Sequence, residues 1–416
     1  MRRLVFLPAG TTALADLAVL PGLADFTAPG RLVDRVLMDR SLACATILTL
    51  LGYAPGWSLG AGMGTEDRYV RNAWYMAGWQ KDFPAGKLLG AMLLDEPLVF
   101  YRQSDGRIVA LEDRCPHRLA PLSRGRIEGD DIRCLYHGLK FSGAGSCVEV
   151  PGSTARPRAL SARPYPVIER HSAVFVWMGD AGQADESLLP PFIGYEHPDW
   201  HMLPGHMDYD VDYELIQDNL LDLSHVAWLH QDSFGGGDAA SNRSWAQAEL
   251  RITRIARGVR VERWMRDART PPPQVPVVGP HCDVLTSFDY LVPGYFLLRT
   301  RYYRAGAAQR SDADRPQEEP IFASCTSQAL MPRTRRKTTY FFCFGPWDRQ
   351  PGAAQLKEAF RDLALKAFTE DWEMLTAQQR NIDLDPSRKM AFFEVDRAPT
   401  LYHRVVEELL DQERHA

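Results

Sequence analysis

The sequence predicts an α+β fold in which an all-β domain precedes a domain built on a curved antiparallel sheet with helices. Short strand-like runs separated by Gly, Pro and Asp occupy residues 69–179. Longer strand-like runs begin near residue 250, and helical patterns come before and after them. Short punctuated runs are typical of all-β domains, whereas long strands beside helical patterns indicate a sheet covered by helices.

Length and composition indicate a globular protein with two domains. The chain has 416 residues, of which 45% are hydrophobic and 24% are charged. This length exceeds that of one ordinary domain. The formal net charge is −5 and the pI is about 6.1. Because the chain lacks the basic character of nucleic-acid-binding proteins, we predict no nucleic-acid partner.

Residues 1–62 differ from the rest of the chain because they are rich in Gly, Ala and Leu. Two arginines followed by apolar residues resemble the start of a signal peptide, but Pro8, Gly10 and Asp16 interrupt the apolar stretch. Residues 41–57 are uncharged, yet Gly and Pro break this run short of the roughly 20 residues that a membrane-spanning helix needs. We therefore predict no membrane segment. We assign residues 1–62 to an extension that is disordered or lies outside the true protein.

The N-terminal domain is predicted to span residues 63–184 and to be all β. Strand-like runs such as residues 98–101 and 174–178 alternate with turn residues. A segment rich in proline and acidic residues, 185–204, follows. We place the domain boundary at its start, so the second domain covers residues 185–416.

Two pairs of metal-ligand residues lie in turns of the first domain. Cys115 and His117 form the first pair, and sixteen residues separate them from the second pair, Cys134 and His137. Each turn therefore offers one sulfur and one nitrogen ligand. A [2Fe–2S] cluster with one iron on two Cys and the other on two His needs this pairing. A structural zinc is the alternative, but zinc fingers usually place both Cys in one turn and both His in the other.

The number and spacing of the cysteines indicate the cellular compartment of the protein. Seven cysteines occur in the chain, and two of them, Cys115 and Cys134, stand at ligand spacing. An odd and scattered set does not indicate a disulfide framework, and an iron–sulfur cluster prefers a reducing compartment. We predict a cytoplasmic location.

A second group of candidate ligands lies in residues 209–230. On an ideal helix, Asp218, Asp222 and His225 share one face, and their neighbours are largely apolar. Burying a carboxylate and an imidazole there without partners is costly, so a metal ion or a charged hydrogen-bond partner is expected. His230 lies about 140° round the helix from His225, so the helix must end or bulge between them if both bind one ion. A pair of hydrogen-bonded core histidines is the alternative.

Long strand-like runs follow, interrupted by a polar loop at residues 306–319. They cover residues 250–264, 283–303 with a break at Pro293-Gly294, 321–331 and 338–344. Together they predict a curved antiparallel sheet around a pocket, with the helix of the candidate ligands packed over it.

A helical stripe follows the strands. Its members are Leu356, Phe360, Leu363, Ala367, Met374 and Gln378. Glu370 and Asp371 flank this stripe. A facial triad of two His and one carboxylate takes its third ligand from another part of the chain, and an acid on the buried edge of this helix supplies it. The helical period does not choose between Glu370 and Asp371.

Together the motifs resemble those of the Rieske non-haem iron oxygenases, over about residues 63–380. The motifs in common are Asn72-Ala-Trp-Tyr, Cys115-Pro-His-Arg, Cys134-Leu-Tyr-His, Asp218-Asn-Leu-Leu-Asp-Leu-Ser-His225 and Gln328-Ala-Leu-Met-Pro. Respiratory Rieske proteins carry an additional cysteine in each ligand turn, where this chain has Ala120 and Tyr136. The resemblance is greatest to the branch of vanillate and dicamba O-demethylase oxygenase components.

The resemblance implies a Rieske domain followed by a helix-grip catalytic domain. The implied ligands of the [2Fe–2S] cluster are Cys115, His117, Cys134 and His137. Family members typically begin a few residues before the motif that here includes Asn72, which favours Met63 as the start.

For the second domain, the resemblance implies a mononuclear Fe(II) bound by His225, His230 and Asp371. The helical period leaves Glu370 and Asp371 as alternatives, and the resemblance selects Asp371. The resemblance also implies that Asp222 links the iron site to the cluster. In the family this link crosses between subunits of a head-to-tail homotrimer, so Asp222 would contact His137 of the partner subunit.

The expected function is that of the terminal oxygenase component of a monooxygenase. Such a component takes electrons from a NAD(P)H-dependent reductase, which carries a flavin and a ferredoxin-type [2Fe–2S] cluster. It uses them with O₂ to hydroxylate or O-demethylate an aromatic substrate, and a vanillate-like methoxybenzoate is favoured. One alternative is the α subunit of a ring cis-dihydroxylating dioxygenase. A more distant one is a Rieske electron-transfer protein, which would not need His225, His230 and a buried acid.

Overall fold

The structure of the protein is a computed structural model. It describes residues 68–154, 160–231, 233–234, 245, 248–271, 274–310, 318–350 and 352–415. The extension assigned to residues 1–62, and with it the start at Met63, lies outside the described residues. In the described part of the chain, no helix is both long enough and apolar enough to cross a membrane.

Eleven short strands of the described chain form the first, all-β region. They are β1 (Trp74–Trp79), β2 (Leu89–Leu93), β3 (Glu96–Arg102), β4 (Ile108–Glu112), β5 (Arg126–Glu128), β6 (Asp131–Arg133), β7 (Lys140–Phe141), β8 (Cys147–Glu149), β9 (Pro164–Tyr165), β10 (Val167–Arg170) and β11 (Ala173–Trp177). They form three antiparallel sheets, with strand orders β1-β11-β10, β2-β3-β4-β9 and β5-β6-β7-β8. The two predicted ligand turns lie between β4 and β5 and between β6 and β7.

A small separate core lies beneath the ligand turns. It contains Leu122, Ile132 and Phe141 together with Cys115 and Cys134. Burying an apolar side chain of this size contributes about 1.5–3 kcal/mol. The core therefore fixes the cysteine end of each turn.

Seven longer strands of the described residues form one antiparallel sheet in the second region. They are β12 (Leu203–Tyr209), β13 (Glu249–Ile255), β14 (Gly258–Arg269), β15 (His281–Leu291), β16 (Tyr295–Arg304), β17 (Phe322–Thr334) and β18 (Lys337–Pro346). Their order is β12-β18-β17-β16-β15-β14-β13. The strands predicted from residue 283 onward are confirmed.

The run predicted as one strand at residues 250–264 is wrong, because the chain turns back on itself there. β13 and β14 form a hairpin in which Ile255 pairs with Gly258. A Cβ atom at Gly258 would lie 2.0 Å from the carbonyl oxygen of Tyr290. The glycine lets β14 approach β15 directly after the turn.

Six helices occur in the described residues. They are α1 (Tyr213–Leu221), α2 (Val226–Leu229), α3 (Val275–Val278), α4 (Ala307–Arg310), α5 (Ala353–Leu384) and α6 (Arg397–His415). Short 3₁₀ turns occur at Gln80–Asp82, Leu122–Arg124, Ala181–Gln183, Glu186–Leu188, Leu223–His225 and Glu394–Asp396. The predicted fold class, an all-β region followed by a large antiparallel sheet with helices, is confirmed. α6 has no counterpart among the predicted elements.

The buried face of α5 differs from the predicted stripe. Its buried members are Ala353, Phe360, Ala364, Ala367, Phe368, Asp371, Leu375 and Gln379. Met374, a member of the predicted stripe, is 54% exposed, because Leu375 takes the inward position. Phe360 packs its ring 5.1 Å from that of Phe344 on β18. This packing turns Asp371 toward the sheet.

The two regions share one hydrophobic core. The hydroxyl of Tyr295 on β16 donates to the carbonyl of Trp74 on β1 at 2.8 Å. The indole N–H of Trp79 donates to the carbonyl of Gly205 on β12 at 3.1 Å. Because these polar atoms find partners across the junction, the large aromatic side chains can be buried at low cost.

Candidate metal centres

The first ligand turn is closed by two main-chain hydrogen bonds around Cys115. The Cys115 N–H donates to the Ala120 carbonyl at 2.8 Å, and the Leu119 N–H donates to the Cys115 carbonyl at 2.7 Å. Leu119 has a left-handed backbone with φ 55°. That conformation reverses the chain and returns it to the core.

The second ligand turn repeats this arrangement around Cys134. The Cys134 N–H donates to the Leu139 carbonyl at 2.8 Å, and the Gly138 N–H donates to the Cys134 carbonyl at 3.0 Å. Gly138, with φ 76°, holds the position that Leu119 holds in the first turn. A Cβ atom on Gly138 would lie 2.8 Å from Cγ of Pro151, so glycine is needed here. Both turns thus present their cysteine and histidine in the same way.

The cysteines of the two turns lie inside the protein and the histidines lie outside. Cys115 and Cys134 are each 2% exposed. His117 and His137 are exposed, and their ring centroids lie 4.5 Å apart. Two buried sulfurs and two surface nitrogens suit a two-iron cluster whose histidine-bound iron lies at the surface.

A single zinc ion fits the ligand turns less well. Tetrahedral zinc brings its ligand atoms to about 3.5 Å from one another. Among the described residues, three donor atoms that all lie within 4.8 Å of one another occur at His225, His230 and Asp371, and not in these turns. The spacing favours the larger cluster.

The buried thiols also affect cluster loading. Burial raises the pKa of the Cys115 thiol to about 11, and the neighbouring Cys134 thiol adds to this rise. Such a thiol keeps its proton at neutral pH until a metal displaces it. Cluster loading therefore releases protons.

The segment with the second set of candidate ligands was expected to form one helix, but this helix is interrupted. α1 ends before Asp222, whose backbone is extended with φ −118° and ψ 91°, and a 3₁₀ turn then leads into α2. The predicted common helical face of Asp218, Asp222 and His225 is therefore wrong. The predicted helix end between His225 and His230 is confirmed, because α2 stops at Leu229.

Asp222 breaks the helix because its side chain caps the 3₁₀ turn. Its carboxylate accepts hydrogen bonds from the Ser224 main-chain N–H at 2.9 Å and from the Ser224 hydroxyl at 2.8 Å. An aspartate that bonds the N–H two residues later favours a helix start over a helix interior.

Asp218 points toward the last helix instead of the other candidate ligands. Its carboxylate accepts a hydrogen bond from Nε2 of His403 on α6 at 2.7 Å. The pair ties α6 to α1. Asp218 is thus a structural residue in this arrangement.

The side chains of His225, His230 and Asp371 meet at one point. Oδ1 of Asp371 lies 3.3 Å from Nε2 of His230 and 3.6 Å from Nε2 of His225. The three donor atoms all lie within 4.8 Å of one another. Two imidazole nitrogens and one carboxylate oxygen are the donor set of a non-haem Fe(II) facial triad, so these residues fit an iron ion.

Each imidazole is oriented through its second nitrogen. Nδ1–H of His225 donates to the main-chain carbonyl of Asp222 at 2.6 Å. Nδ1–H of His230 donates to the carboxylate of Glu370 at 2.7 Å. Because carbonyl and carboxylate oxygens accept, Nδ1 of each imidazole carries a proton, and each Nε2 faces Oδ1 of Asp371, where a metal ion would bind.

Glu370 and Asp371, which the helical period could not separate, occupy different places. Asp371 faces both imidazole Nε2 atoms, whereas Glu370 lies behind His230. Glu370 also accepts a hydrogen bond from the Ser233 hydroxyl at 2.8 Å. The structure therefore brings Asp371 to the point where the two histidines meet.

Asn219 is a site residue that the sequence analysis missed. Its Nδ2 donates to Oδ1 of Asp371 at 3.1 Å and lies 3.5 Å from Nε2 of His225. The available signal is a third consecutive polar residue, after Gln217 and Asp218, in the mostly buried helix α1. Asn219 holds the Asp371 carboxylate against the two imidazoles.

The pKa values of the two imidazoles shift in opposite directions. Burial lowers the pKa of His225, and the nearby Asp371 offsets this only in part. Burial also acts to lower the pKa of His230, but hydrogen bonds to Asp371 and Glu370 outweigh it and raise the pKa. Two carboxylates beside His230 make it the more basic of the two imidazoles.

The three donors form part of the wall of a cavity of about 130 Å³. The rest of the wall is mostly apolar and includes Leu220, Val226, Met265, Phe296, Leu298 and Phe344. An apolar cavity on the order of 150 Å³ holds one benzene ring. The site can therefore hold a single aromatic ring beside the three donors.

Two protein families match this chain. Residues 73–166 match the Rieske [2Fe–2S] domain, and residues 209–412 match the vanillate O-demethylase oxygenase C-terminal domain. The first range contains both ligand turns, and the second contains His225, His230 and Asp371.

Curated relatives match over most of the chain. The iron-sulfur subunit of the toluene-4-sulfonate monooxygenase system of Comamonas testosteroni is 34% identical over 324 residues, which cover 77% of this chain and 91% of the relative. The vanillate O-demethylase oxygenase subunit of Pseudomonas sp. strain HR199 is 30% identical over 362 residues, which cover 84% of this chain and 97% of the relative.

Solved structures show the same fold. Dicamba monooxygenase bound to 3,6-dichlorosalicylic acid superposes with a TM-score of 0.74 at 28% identity, covering 84% of this chain and 100% of that one. A structure of dicamba monooxygenase with non-haem iron and dicamba superposes with a TM-score of 0.63 at 28% identity, covering 84% and 99%. This chain therefore belongs to the Rieske non-haem iron oxygenases as the oxygenase component of a monooxygenase system, with a [2Fe–2S] cluster and non-haem iron as its cofactors.

Proposed function

We propose that this oxygenase component O-demethylates a small aromatic ether of the methoxybenzoate type. The observation that carries the proposal is the position of His225, His230 and Asp371 in the wall of an apolar cavity suited to one ring. The similarity to a vanillate O-demethylase subunit supports an aryl methyl ether as the substrate.

In this proposal the enzyme comprises a Rieske domain at residues 63–184 and a catalytic domain at residues 185–416. His225, His230 and Asp371 bind the iron. The cluster ligands are Cys115, His117, Cys134 and His137.

When bound, the iron supplies O₂ activation for insertion of oxygen into a substrate C–H bond. Glu370 fixes His230, and Asn219 fixes Asp371, so the donor atoms keep their positions while the ligand set changes. Apolar side chains of the cavity exclude bulk water and hold the ring against the donors.

The overall reaction balances for an aryl methyl ether. One oxygen atom enters a methyl C–H bond and gives a hemiacetal, which breaks into a phenol and formaldehyde. The second oxygen atom leaves as water and consumes two electrons and two protons. A reductase with a flavin and a ferredoxin-type cluster supplies the electrons, which enter through the [2Fe–2S] cluster.

We further propose that Asp222 carries electrons between the two metal sites of neighbouring subunits. Nδ1–H of His225 already donates to the Asp222 main-chain carbonyl. Each carboxylate oxygen of Asp222 accepts one hydrogen bond from Ser224, and each keeps acceptor capacity for another donor. His137 of the partner subunit is the proposed donor. A head-to-tail homotrimer closes this heterologous contact into a ring.

Exposed apolar side chains beside both metal sites support such a contact. Tyr136, between two cluster ligands, is 63% exposed, and Trp228, between two iron ligands, is 67% exposed. In the described residues, no hydrogen bond or ion pair joins a cluster turn to the segment of Asp222. Large aromatic residues at such positions favour contact with another chain.

Product analysis tests the proposed reaction. Purified protein with a compatible reductase and NADH is offered a panel of methoxybenzoates and unsubstituted benzoates. We expect formaldehyde and the matching phenol in equal amounts from at least one methoxybenzoate. Formation of cis-dihydrodiols without formaldehyde would replace the proposal with ring dihydroxylation.

A further inference from the structure

Two polar contacts join α1 to α5, one at the iron site and one about two helical turns away from it. At the iron site, Nδ2 of Asn219 donates to Oδ1 of Asp371 at 3.1 Å. At the start of α1, the main-chain N–H of Asp212 donates to Oε1 of Gln379 at 2.9 Å. The two helices meet these contacts in opposite order, so they run antiparallel, and the contacts lie roughly 11 Å apart along them. Together the contacts fix the register of α1 on α5.

The contact far from the iron site belongs to a closed ring of hydrogen bonds. Nε2 of Gln379 donates to Oδ1 of Asp383 at 3.0 Å. Arg336, in the turn between β17 and β18, donates to Oδ1 of Asp383 at 2.7 Å and to Oδ2 of Asp212 at 3.1 Å. Asp212 and Gln379 are each 4% exposed. Because a satisfied buried network is rigid, the ring holds the start of α1, the end of α5 and the sheet together.

A cation from the first region joins the same network. Nη2 of Arg68 lies 2.8 Å from both carboxylate oxygens of Asp212 and 3.1 Å from Oε1 of Glu214. Arg68 precedes β1 and is 7% exposed. Asp212 is also the N-cap of α1, since its carboxylate accepts from the Glu214 main-chain N–H at 3.3 Å. The start of α1 is therefore held by α5, by the sheet and by the first region.

The iron site depends on this register because Asn219 reaches Asp371 from the other helix. Oδ1 of Asp371, which accepts from Asn219, also lies 3.3 Å from Nε2 of His230. A displacement of α1 away from α5 by about 1 Å would stretch the bond from Asn219 beyond hydrogen-bonding length. The Asp371 carboxylate would then be free to rotate away from the imidazoles.

We propose that Gln379 is a positioning residue of the iron site, which acts through Asn219 on the carboxylate of Asp371. The main-chain N–H of Asp212 requires an acceptor, and the carboxylate of Asp383 requires a donor. An amide offers both, whereas an apolar side chain offers neither and a carboxylate offers no donor. The inference rests on the proposed iron ligands and adds a residue outside the ligand set.

Iron titration of the apo-protein and electron paramagnetic resonance of the Fe(II)–nitric oxide adduct measure this role without turnover. Gln379→Met keeps the length of the side chain and removes both bonds. It is expected to weaken iron binding about 10-fold and to broaden the resonance, because Asp371 then takes more than one position. The cluster absorption should be unchanged.

Gln378→Met is the matched control, because Gln378 lies one position earlier on α5 and outside the ring. It is expected to keep the wild-type affinity and line width. Wild-type values in Gln379→Met, or equal changes in both variants, would overturn the inference.

A double-mutant cycle separates positioning from a general structural role. If Gln379 acts through Asn219, Gln379→Met should weaken iron binding no further in an Asn219→Ala background, because the contact that it positions is already absent. A purely structural role predicts that the two losses multiply. Multiplied losses would therefore overturn the inference.

A variant that restores the ring provides the second test. Gln379→Glu places a second carboxylate beside that of Asp383, and at about pH 8 their repulsion should weaken iron binding as Gln379→Met does. Addition of Asp383→Asn exchanges donor and acceptor in this bond and should restore the affinity to within about two-fold of the wild type. A double variant that binds iron as weakly as Gln379→Glu would contradict the positioning role.

The inference and the proposed ligand set fail in different ways. Mononuclear iron that persists in His225→Ala would refute the ligand set, and with it this inference. Iron that is lost in His225→Ala but bound normally in Gln379→Met would refute the positioning role alone.

Discussion

The cluster turns and the iron site are assembled in opposite ways. Each cluster turn is closed by hydrogen bonds to its own cysteine, as between Cys115 and Leu119. The iron site joins α1 and α2 to α5, and Asn219 contacts Asp371 across 152 positions of sequence. A locally closed turn can be recognised from ligand spacing, whereas a site built from distant segments depends on how the sheet and helices pack.

If the two sites are independent in assembly, each can be removed without the other. His225→Ala is expected to lose the mononuclear iron and all turnover, because two ligands do not hold the ion, while the cluster absorption remains. His137→Ala is the matched change, and it should lose the cluster while retaining the mononuclear iron. Metal analysis with electron paramagnetic resonance measures both. Loss of both signals in either variant would contradict independent assembly.

The next largest effect is expected at Asp222, which belongs to neither ligand set. Asp222→Asn should keep both metals but slow turnover by orders of magnitude, because the amide cannot serve as a charged acceptor for His137 of the partner subunit, while the main-chain carbonyl that holds His225 is unchanged. Single-turnover reoxidation of the reduced cluster measures the step. Ser224→Ala is the control, since it removes a partner of the carboxylate but keeps its charge. A wild-type reoxidation rate in Asp222→Asn would rule out the bridge.

A smaller effect is expected from the residue behind His230. Glu370→Gln should weaken iron affinity by about 10-fold to 100-fold, because it removes the carboxylate that accepts from Nδ1 of His230. Iron titration of the apo-protein measures it. Glu373→Gln, an exposed position on the same helix, should have no effect. Equal losses in both variants would show a general dependence on the charge of α5.

The smallest effect concerns the pair that ties α6 to α1. Burial acts to lower the pKa of His403, but the charge and hydrogen bond of Asp218 outweigh it and raise the pKa. The stabilisation is therefore complete below about pH 6.5 and is lost as pH rises through the raised pKa of the folded protein. Asp218→Asn should cost about 1–3 kcal/mol at low pH and progressively less at higher pH.

Thermal melting at several pH values measures this dependence. Asp411→Asn, at an exposed position on α6, should show no comparable trend. A cost for Asp218→Asn that grows with pH would contradict the assignment of a charged His403.

The difference between the two sites also explains what the sequence could predict. The spacing of Cys115, His117, Cys134 and His137 predicted two equivalent turns, because each turn depends on its own few residues. The strands after residue 283 could be predicted equally well, because long runs rich in β-branched and aromatic residues between turn signals indicate β-strands.

Helical periodicity gave wrong predictions where a single local interaction overrides it. The capping bond from Ser224 to Asp222 breaks the helix that periodicity predicted. On α5, the choice of Met374 over Leu375 shifted the stripe, and with the observed stripe Asp371 falls on the buried face. The positions of Asn219 and Glu370 in the site could not be predicted, because they depend on how α5 packs on the sheet. No local sequence pattern indicates that packing.

The most direct test of the account is complementation between subunits. His137→Ala and His225→Ala chains, each inactive alone, are co-expressed and purified as mixed oligomers. If the cluster of one subunit serves the iron of the next, mixed trimers should regain up to about one third of wild-type activity, because one of the three junctions in each mixed ring pairs a cluster with an iron. Mixed oligomers that contain both metals and remain inactive would contradict transfer between subunits.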